Sequence, residues 1–135
     1  MTEITDLYEI QRLELGILRH LSGICRENGL HFFLSNGTLL GAVKYGAFIP
    51  WDDDIDIFMP RADYDRLMSL PGADAGPYRL LSQERTPGWR MPFAKLCDMM
   101  GRPELPQDSR FVTNFERCNH YAALKPQIEA WSTTK

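Results

Sequence analysis

The stretch Ile49-Pro50-Trp51-Asp52-Asp53-Asp54-Ile55-Asp56-Ile57-Phe58-Met59 decides the fold predicted for this chain. From residue 54 onward, aspartates alternate with apolar side chains at a period of two, which is typical of a strand with one polar and one apolar face. Alternation places Asp54 and Asp56 on the polar face, together with Asp52 if the strand extends that far, and sends Asp53 to the opposite face.

The segments around this strand predict a small α/β domain. An amphipathic helix covers about residues 5 to 28, with apolar side chains every three or four residues and most charged ones, Glu14 included, elsewhere on the helical wheel. Its apolar positions are Ile10, Leu13, Ile17, Leu21 and Ile24. The other predicted elements are strands at 30–34, 54–59, 78–82 and 91–97, and helices at 38–44 and 61–70.

The carboxy-terminal segment has no sustained periodicity from about Asp98 onward, and three prolines interrupt it. A helix over 122–131 would carry Pro126 in its interior, which a helix rarely tolerates. We therefore divide the chain into a core of residues 1–98 and an irregular tail of residues 99–135. The tail is expected to contribute little to the sheet, leaving the fourth predicted strand as an edge that apolar tail side chains partly cover.

Composition excludes several classes of protein. With 135 residues, 44% of them apolar and 24% charged, the chain is an ordinary globular domain rather than a disordered or coiled-coil protein. No apolar run is long enough for a transmembrane helix, and the amino terminus does not resemble a signal peptide. The net charge of −3 argues against nucleic-acid binding. Three cysteines without CxxC spacing indicate idle thiols in a reducing cytosol.

The aspartates are the strongest chemical signal. Carboxylates gathered on one side stay ionised together only if they are solvated or bridged by a cation, and oxygen-only ligands suit Mg²⁺ or Mn²⁺. A solvated acidic turn is the alternative. An EF-hand is excluded, because Ile57 and Asp63 stand where that loop needs Gly and Glu. The upstream turn Asn36-Gly37-Thr38, at the start of a predicted helix, offers amides to a phosphate.

Two motif blocks in this region resemble the LicD family, whose eukaryotic relatives are fukutin and the fukutin-related protein. The blocks are Gly37-Thr38-Leu39-Leu40-Gly41 and Ile49-Pro50-Trp51-Asp52-Asp53-Asp54-Ile55-Asp56-Ile57, and Pro92-Phe93-Ala94-Lys95-Leu96 is also similar. The resemblance implies a nucleotidyltransferase-like fold, a small mixed sheet flanked by helices. It also implies transfer of a phospho-alcohol, such as phosphocholine, from a CDP-activated donor to a sugar hydroxyl of a cell-surface glycan or glycolipid.

The resemblance also implies roles for individual residues. Asp54 and Asp56 would hold the catalytic Mg²⁺ or Mn²⁺, and Asp52 would support or share it. Gly37 and Thr38 would line the donor phosphates. Lys44 and Arg61 are either further donor-binding residues or solvated surface cations. The enzyme would be cytoplasmic, with association with the inner face of the membrane and the oligomeric state left open.

One departure from the family bears on activity. Family members carry a later strand with a further acidic motif, and nucleotidyltransferase-type sites generally take a third carboxylate from such a strand. The acids beyond residue 99 lie in no strand-like alternation: Glu104, Asp108, Glu116 and Glu129. The chain is therefore expected to be a truncated member, a fragment or the product of a shifted reading frame. Two alternatives remain open, a nucleotidyltransferase acting on a small acceptor and a catalytically silent nucleotide-binding module.

Overall fold

The computed structural model describes residues 6–99 and the backbone of residues 120–125. Three helices are present: α1 (Leu7–Asn28), α2 (Asn36–Tyr45) and α3 (Arg61–Met68), with a short 3-10 helix at Pro71–Asp74. Asp6 caps α1, since its carboxylate accepts a hydrogen bond of 3.0 Å from the amide of Tyr8. Gly29, with a φ of 67°, ends the helix in the left-handed conformation. The predicted helices are confirmed within a few residues.

The strands form one five-stranded mixed sheet in the order β1-β2-β5-β4-β3. Their bounds are β1 (Phe33–Leu34), β2 (Ile55–Phe58), β3 (Tyr78–Leu81), β4 (Ala94–Asp98) and β5 (His120–Lys125). Only the β2–β5 pair is parallel, and the other three pairs are antiparallel. The predicted α/β class with a small mixed sheet and flanking helices is confirmed.

The tail supplies the central strand of this sheet, which corrects the expectation that it contributes little. β5 lies between β2 and β4, with Ala123 paired to Asp56 on one side and to Lys95 on the other. β4 is therefore an interior strand, and the exposed edge predicted there is wrong. A helix beginning at residue 122 is wrong for the same reason. The remaining tail residues lie outside the described residues, and the division into 1–98 and 99–135 stays a prediction.

Two apolar clusters pack on opposite faces of the sheet. The larger lies against α1 and α3 and includes Ile17, Leu21, Ile24, Ile55, Ile57, Tyr64, Leu67, Leu80 and Leu96. The smaller contains Leu81, Trp89, Cys97 and Met99. Cys25 and Cys97 are buried free thiols, as predicted, and Cys118 lies outside the described residues. Across the described ranges, no helix combines the length and apolar character that crossing a membrane requires.

Candidate functional site

Asp52, Asp53 and Asp54, here called the acidic triplet, lie in the loop directly before β2. One carboxylate oxygen from each lies within 4.8 Å of the other two. The prediction that Asp53 faces away from its neighbours is wrong, because β2 begins only at Ile55 and strand alternation does not extend back through the loop. The loop backbone turns all three carboxylates to one side.

Electrostatic repulsion within the site is strong. The pKa of Asp54 is raised to about 6, first by partial burial, then by a hydrogen bond with Asp52 and by the charges of the neighbouring aspartates. Asp56, two residues further on in β2, is not part of the triplet. Its charge nevertheless contributes to the raised pKa of Asp54, so the four aspartates act as one electrostatic group.

The amino terminus of α2 lies against this group. A Cβ atom on Gly37 would lie 2.9 Å from Oδ2 of Asp52, so glycine allows that carboxylate to approach the first turn. The Thr38 hydroxyl accepts a hydrogen bond of 2.9 Å from the amide of Asp56. Ser35, at the amino-terminal cap, is 2% exposed, and its Oγ has no hydrogen-bond partner among the described residues. Helix amides at this position lack intrahelical carbonyls and attract anions.

The two basic residues predicted for donor binding lie at helix ends. Lys44 is in the last turn of α2, at the opposite end of that helix from Gly37, and its ammonium group lies 5.5 Å from the ring centre of Tyr45. Arg61 is the first residue of α3. Its Nη1 lies 3.7 Å from Oδ1 of Asp65, and its guanidinium carbon lies 5.2 Å from the ring centre of Tyr64. The described contacts do not bring Lys44 to the acidic triplet.

A buried carboxyl group on α1, that of Glu14, is the residue that sequence reasoning missed. Glu14 is 3% exposed, and its Oε2 has no hydrogen-bond partner among the described residues. Its pKa is raised to about 9, first by burial and then by the charges of Asp54, Asp53, Asp52 and Asp56. The carboxyl group is therefore within electrostatic reach of the whole acidic site.

A signal for Glu14 is present in the sequence. Ile10, Glu14, Ile17, Leu21 and Ile24 follow one another at spacings of four and three, so Glu14 occupies a position on the apolar stripe of α1. The wheel reading that placed it with the exposed charges is wrong. A single acid on an otherwise apolar helical stripe is a pattern that points to a buried functional carboxyl.

Comparison with known families gives two matches along the chain. The family model described as LicD/FKTN/FKRP, nucleotidyltransferase domain, matches residues 29–97, just over half of the chain. The chain therefore belongs to the LicD family, which confirms the resemblance read from its motifs. A model of CoA-transferase family III matches residues 89–135 and overlaps the first match only at its end. That second match covers about a third of the chain, too little to assign a second family.

Curated relatives each match just under half of this chain. The lipopolysaccharide cholinephosphotransferase LicD of Haemophilus influenzae is 41% identical over 64 residues, covering 47% of this chain and 24% of that protein. Human ribitol 5-phosphate transferase FKRP is 38% identical over 58 residues, 43% of this chain and 12% of FKRP. Mannosyltransferase regulator 4 of Saccharomyces cerevisiae is 37% identical over 59 residues, 44% of this chain and 5% of that protein. The chain thus spans a quarter or less of these relatives.

Proposed function

We propose that this domain binds a divalent cation and a CDP-activated alcohol, and that it serves the transfer of the phospho-alcohol to a sugar hydroxyl of a glycan. The observation that carries the proposal is the contact between the acidic triplet and the amino terminus of α2, where Gly37 leaves room for Asp52. A cation site beside free helix amides suits a donor that brings a diphosphate. The named activities of the LicD and FKRP relatives support the reaction class.

The donor set fits Mg²⁺ or Mn²⁺. Three carboxylate oxygens can converge within 4.8 Å, and both cations favour oxygen ligands of this kind. Asp52 and Asp54 would hold the cation, and Asp53 is an additional candidate ligand. Asp56 follows two residues after Asp54, in β2. Bound there, the cation would neutralise charge on the donor's phosphates. No ion pair of the triplet with Lys or Arg occurs among the described side chains of residues 6–99.

The donor would be held by groups from two directions. The first amides of α2 and the Thr38 hydroxyl would contact the phosphates, and the cation held by the triplet would supply compensating positive charge. Trp51, which is 73% exposed directly before the triplet, offers a ring on which a base or sugar can stack. The donor's cytidine is assigned by likeness to the family.

The transfer leaves intact the phosphoester bond between the alcohol and its phosphorus. The acceptor oxygen forms a bond to the alcohol-bearing phosphorus, the bond from that phosphorus to the bridging oxygen breaks, and CMP leaves with the electron pair. The hydroxyl proton passes to a carboxylate oxygen of the acidic triplet. Positioning and charge compensation dominate the catalysis of such reactions, since the protein forms no covalent intermediate. A cytoplasmic enzyme that acts on a glycan precursor would have access to the CDP-activated donor.

The test uses CDP-choline labelled separately in the choline and in the cytidine, with Mg²⁺ or Mn²⁺ and a panel of sugar acceptors. The proposal expects choline label on the acceptor, release of labelled CMP, and loss of both in Asp54→Asn. Cytidine label on the acceptor would instead identify a nucleotidyltransferase. Binding of CDP-choline, measured by calorimetry with and without Mn²⁺, gives a result that does not depend on the acceptor.

A second candidate, a catalytically silent nucleotide-binding module, is favoured by one observation. β5 pairs in parallel with β2 beside the aspartates, yet it contains no Asp or Glu between His120 and Lys125. The later strand thus offers no third carboxylate at this place in the sheet. Cation-dependent binding of CDP-choline without any CMP release, in the assay above, would select this candidate.

A further inference from the structure

One interior strand of the sheet carries a buried lysine. Lys95 lies in β4 and is 2% exposed, and its Nζ lies 5.8 Å from the ring centre of Phe93. Removing an ammonium group from water is costly unless negative charge lies within its reach. The fold therefore has to supply an acidic neighbour, and the sheet register shows which residue is placed to be one.

The face of the sheet on which Lys95 lies follows from its neighbours in β4. Ala94 and Leu96, on either side of it, both belong to the larger apolar cluster against α1 and α3. Both strand neighbours of Asp56 in β2 belong to that cluster as well. Because successive residues of a strand point to opposite faces, Lys95 and Asp56 both lie on the other face of the sheet.

Lys95 and Asp56 also lie in one row across the sheet. Lys95 pairs with Ala123 of β5, and Ala123 pairs in turn with Asp56 of β2. Two strand spacings separate the two backbones, which is about 10 Å. A four-carbon lysine stem and an aspartate that extend toward each other span this distance, and alanine is a small residue to stand between them. Among the described strand positions on this face, Asp56 is the one acid.

The backbone of Asp56 is fixed to the amino terminus of α2. The amide of Ser35 donates a hydrogen bond of 3.0 Å to the carbonyl oxygen of Asp56, and the amide of Asp56 donates one of 2.9 Å to the Thr38 hydroxyl. A positive charge that β4 brings to Asp56 is therefore brought to the helix terminus beside the acidic triplet.

We propose that Lys95 is the counter-charge of Asp56, so that β4 delivers an ammonium group across β5 to the acidic site. Lys95 is then a positioning residue, which orients the Asp56 carboxylate and adds positive potential for an anionic donor. The same charge opposes a divalent cation that binds without the donor. The effect on donor and cation rests on the proposed function, whereas the pairing of Lys95 with Asp56 does not.

The pairing is tested by thermal unfolding of the 135-residue chain in EDTA. Lys95→Met keeps the length of the side chain and removes its charge, and Asp56→Asn removes the other charge. Each single variant should lower the melting temperature, and the double variant should lose clearly less than the sum of the two losses. Lys95→Gln replaces Lys95→Met if the latter fails to fold. Arg90→Met removes an exposed positive charge and should combine additively with Asp56→Asn.

The role in the site is tested by binding of Mn²⁺, followed by electron paramagnetic resonance, and of CDP-choline, followed by calorimetry. Lys95→Met should bind Mn²⁺ alone about fivefold more tightly, because a repelling charge is gone, and should bind CDP-choline about fivefold more weakly. Changes of opposite sign separate an electrostatic role from general damage to the site, which would weaken both ligands. Lys95→Arg keeps the positive charge and should change either affinity by no more than about twofold.

The outcomes are distinguishable. Additive losses of melting temperature in the Lys95 and Asp56 variants overturn the pairing, and with it the inference. Weaker Mn²⁺ binding by folded Lys95→Met overturns the role of Lys95 in the site and leaves the proposed function standing. Non-additive losses, in a chain that without substitution binds neither Mn²⁺ nor CDP-choline, support the pairing and overturn the proposed function.

Discussion

Two groups of acidic side chains in this protein have opposite electrostatic surroundings. Asp74, at the end of the 3-10 helix, forms an ion pair with Arg85 and accepts a hydrogen bond of 2.7 Å from the amide of Leu80. Arg85 also donates to the carbonyl oxygens of Met68 and Leu70. The acidic triplet, by contrast, has other carboxylates as its neighbours, and the pKa of Asp54 is raised first by desolvation and then by a hydrogen bond with Asp52 and the charges of the neighbouring aspartates.

Under the proposed function, the difference separates a carboxylate with a structural partner from carboxylates that would bind a cation. Around Asp74, every charge has a partner supplied by the fold, so the network gains nothing from a ligand. Around the triplet, the fold brings together like charges, and the cation of the proposed function would compensate them. Substitution of Asp74 should therefore destabilise the protein. Substitution of an aspartate of the acidic triplet should reduce the repulsion among the remaining carboxylates and weaken cation binding.

The largest expected effect is on the pH dependence of stability without divalent cations. The pKa of Glu14 is raised from about 4.5 to about 9 in the folded chain, so the folded state binds the proton more tightly than the unfolded state. The stabilisation of the folded state by this proton is complete below pH 4.5 and is lost as the pH rises to about 9. One such proton gives a slope approaching about 1.4 kcal/mol per pH unit. Asp54 acts with the same sign between pH 3.8 and about 6.

Urea unfolding in the presence of EDTA across this pH range measures the effect. The free energy of unfolding should fall with rising pH in the unsubstituted protein and fall much less in Glu14→Gln. Glu27→Gln serves as the control and should keep the slope. Equal slopes in the two variants would show that Glu14 is not the group responsible.

Removing the structural carboxylate should give the next largest effect. In Asp74→Asn, the partly buried Arg85 loses its charged partner, and the expected loss is about 2 kcal/mol of unfolding free energy. The loss should be the same with and without Mn²⁺, because this network is remote from cation chemistry. A loss that depends on Mn²⁺, seen in parallel denaturation curves, would break the distinction between the two sites.

Two glycines of α2 are expected to differ in the same way as the two acidic sites. A Cβ on Gly41 would lie 2.6 Å from the carbonyl oxygen of Ala47 and 2.8 Å from the amide nitrogen of Ile49, both rigid backbone atoms. Gly41→Ala should cost about 1 to 3 kcal/mol of stability. Gly37→Ala meets only the movable carboxylate of Asp52, so stability should change little while Mn²⁺ and CDP affinity fall. If Gly37→Ala is instead the more destabilising of the two, Gly37 is a structural turn.

The smallest expected difference lies within the triplet. Because Asp53 approaches the same point as Asp52 and Asp54, Asp53→Asn should weaken Mn²⁺ binding to an extent comparable to Asp54→Asn. Each loss should be about tenfold, or about 1.4 kcal/mol. Calorimetric titration measures the Mn²⁺ affinity of the two variants. Full retention of affinity in Asp53→Asn alone would support the sequence-based prediction that Asp53 points away from Asp52 and Asp54.

Local patterns predicted much of this molecule. The period of α1, the glycine that ends it, and the alternation of Ile55, Asp56 and Ile57 depend only on neighbouring residues, and all three were read correctly. Alternation failed at Asp53 because the strand was extended backward into a loop whose conformation the pattern does not specify.

The features that were missed depend on distant contacts. Nothing in His120–Lys125 alternates strongly, and its strand conformation follows from hydrogen bonds to β2 and β4, which lie far away in sequence. The burial of Glu14 similarly depends on packing of α1 against elements that come much later in the sequence. Periodicity reports neither kind of contact, since it contains no information on which surfaces meet.

The position of β5 has a consequence for how the chain folds. β2 ends at Phe58 and its parallel partner ends at Lys125, so the pair closes a loop of more than sixty residues before its hydrogen bonds form. Without β5, β2 can pair only with β1 and β4 only with β3, and each of these antiparallel pairs has an unsatisfied edge. They become one sheet only when residue 125 leaves the ribosome. Folding should therefore be slow, and the nascent chain should depend on chaperones until that moment.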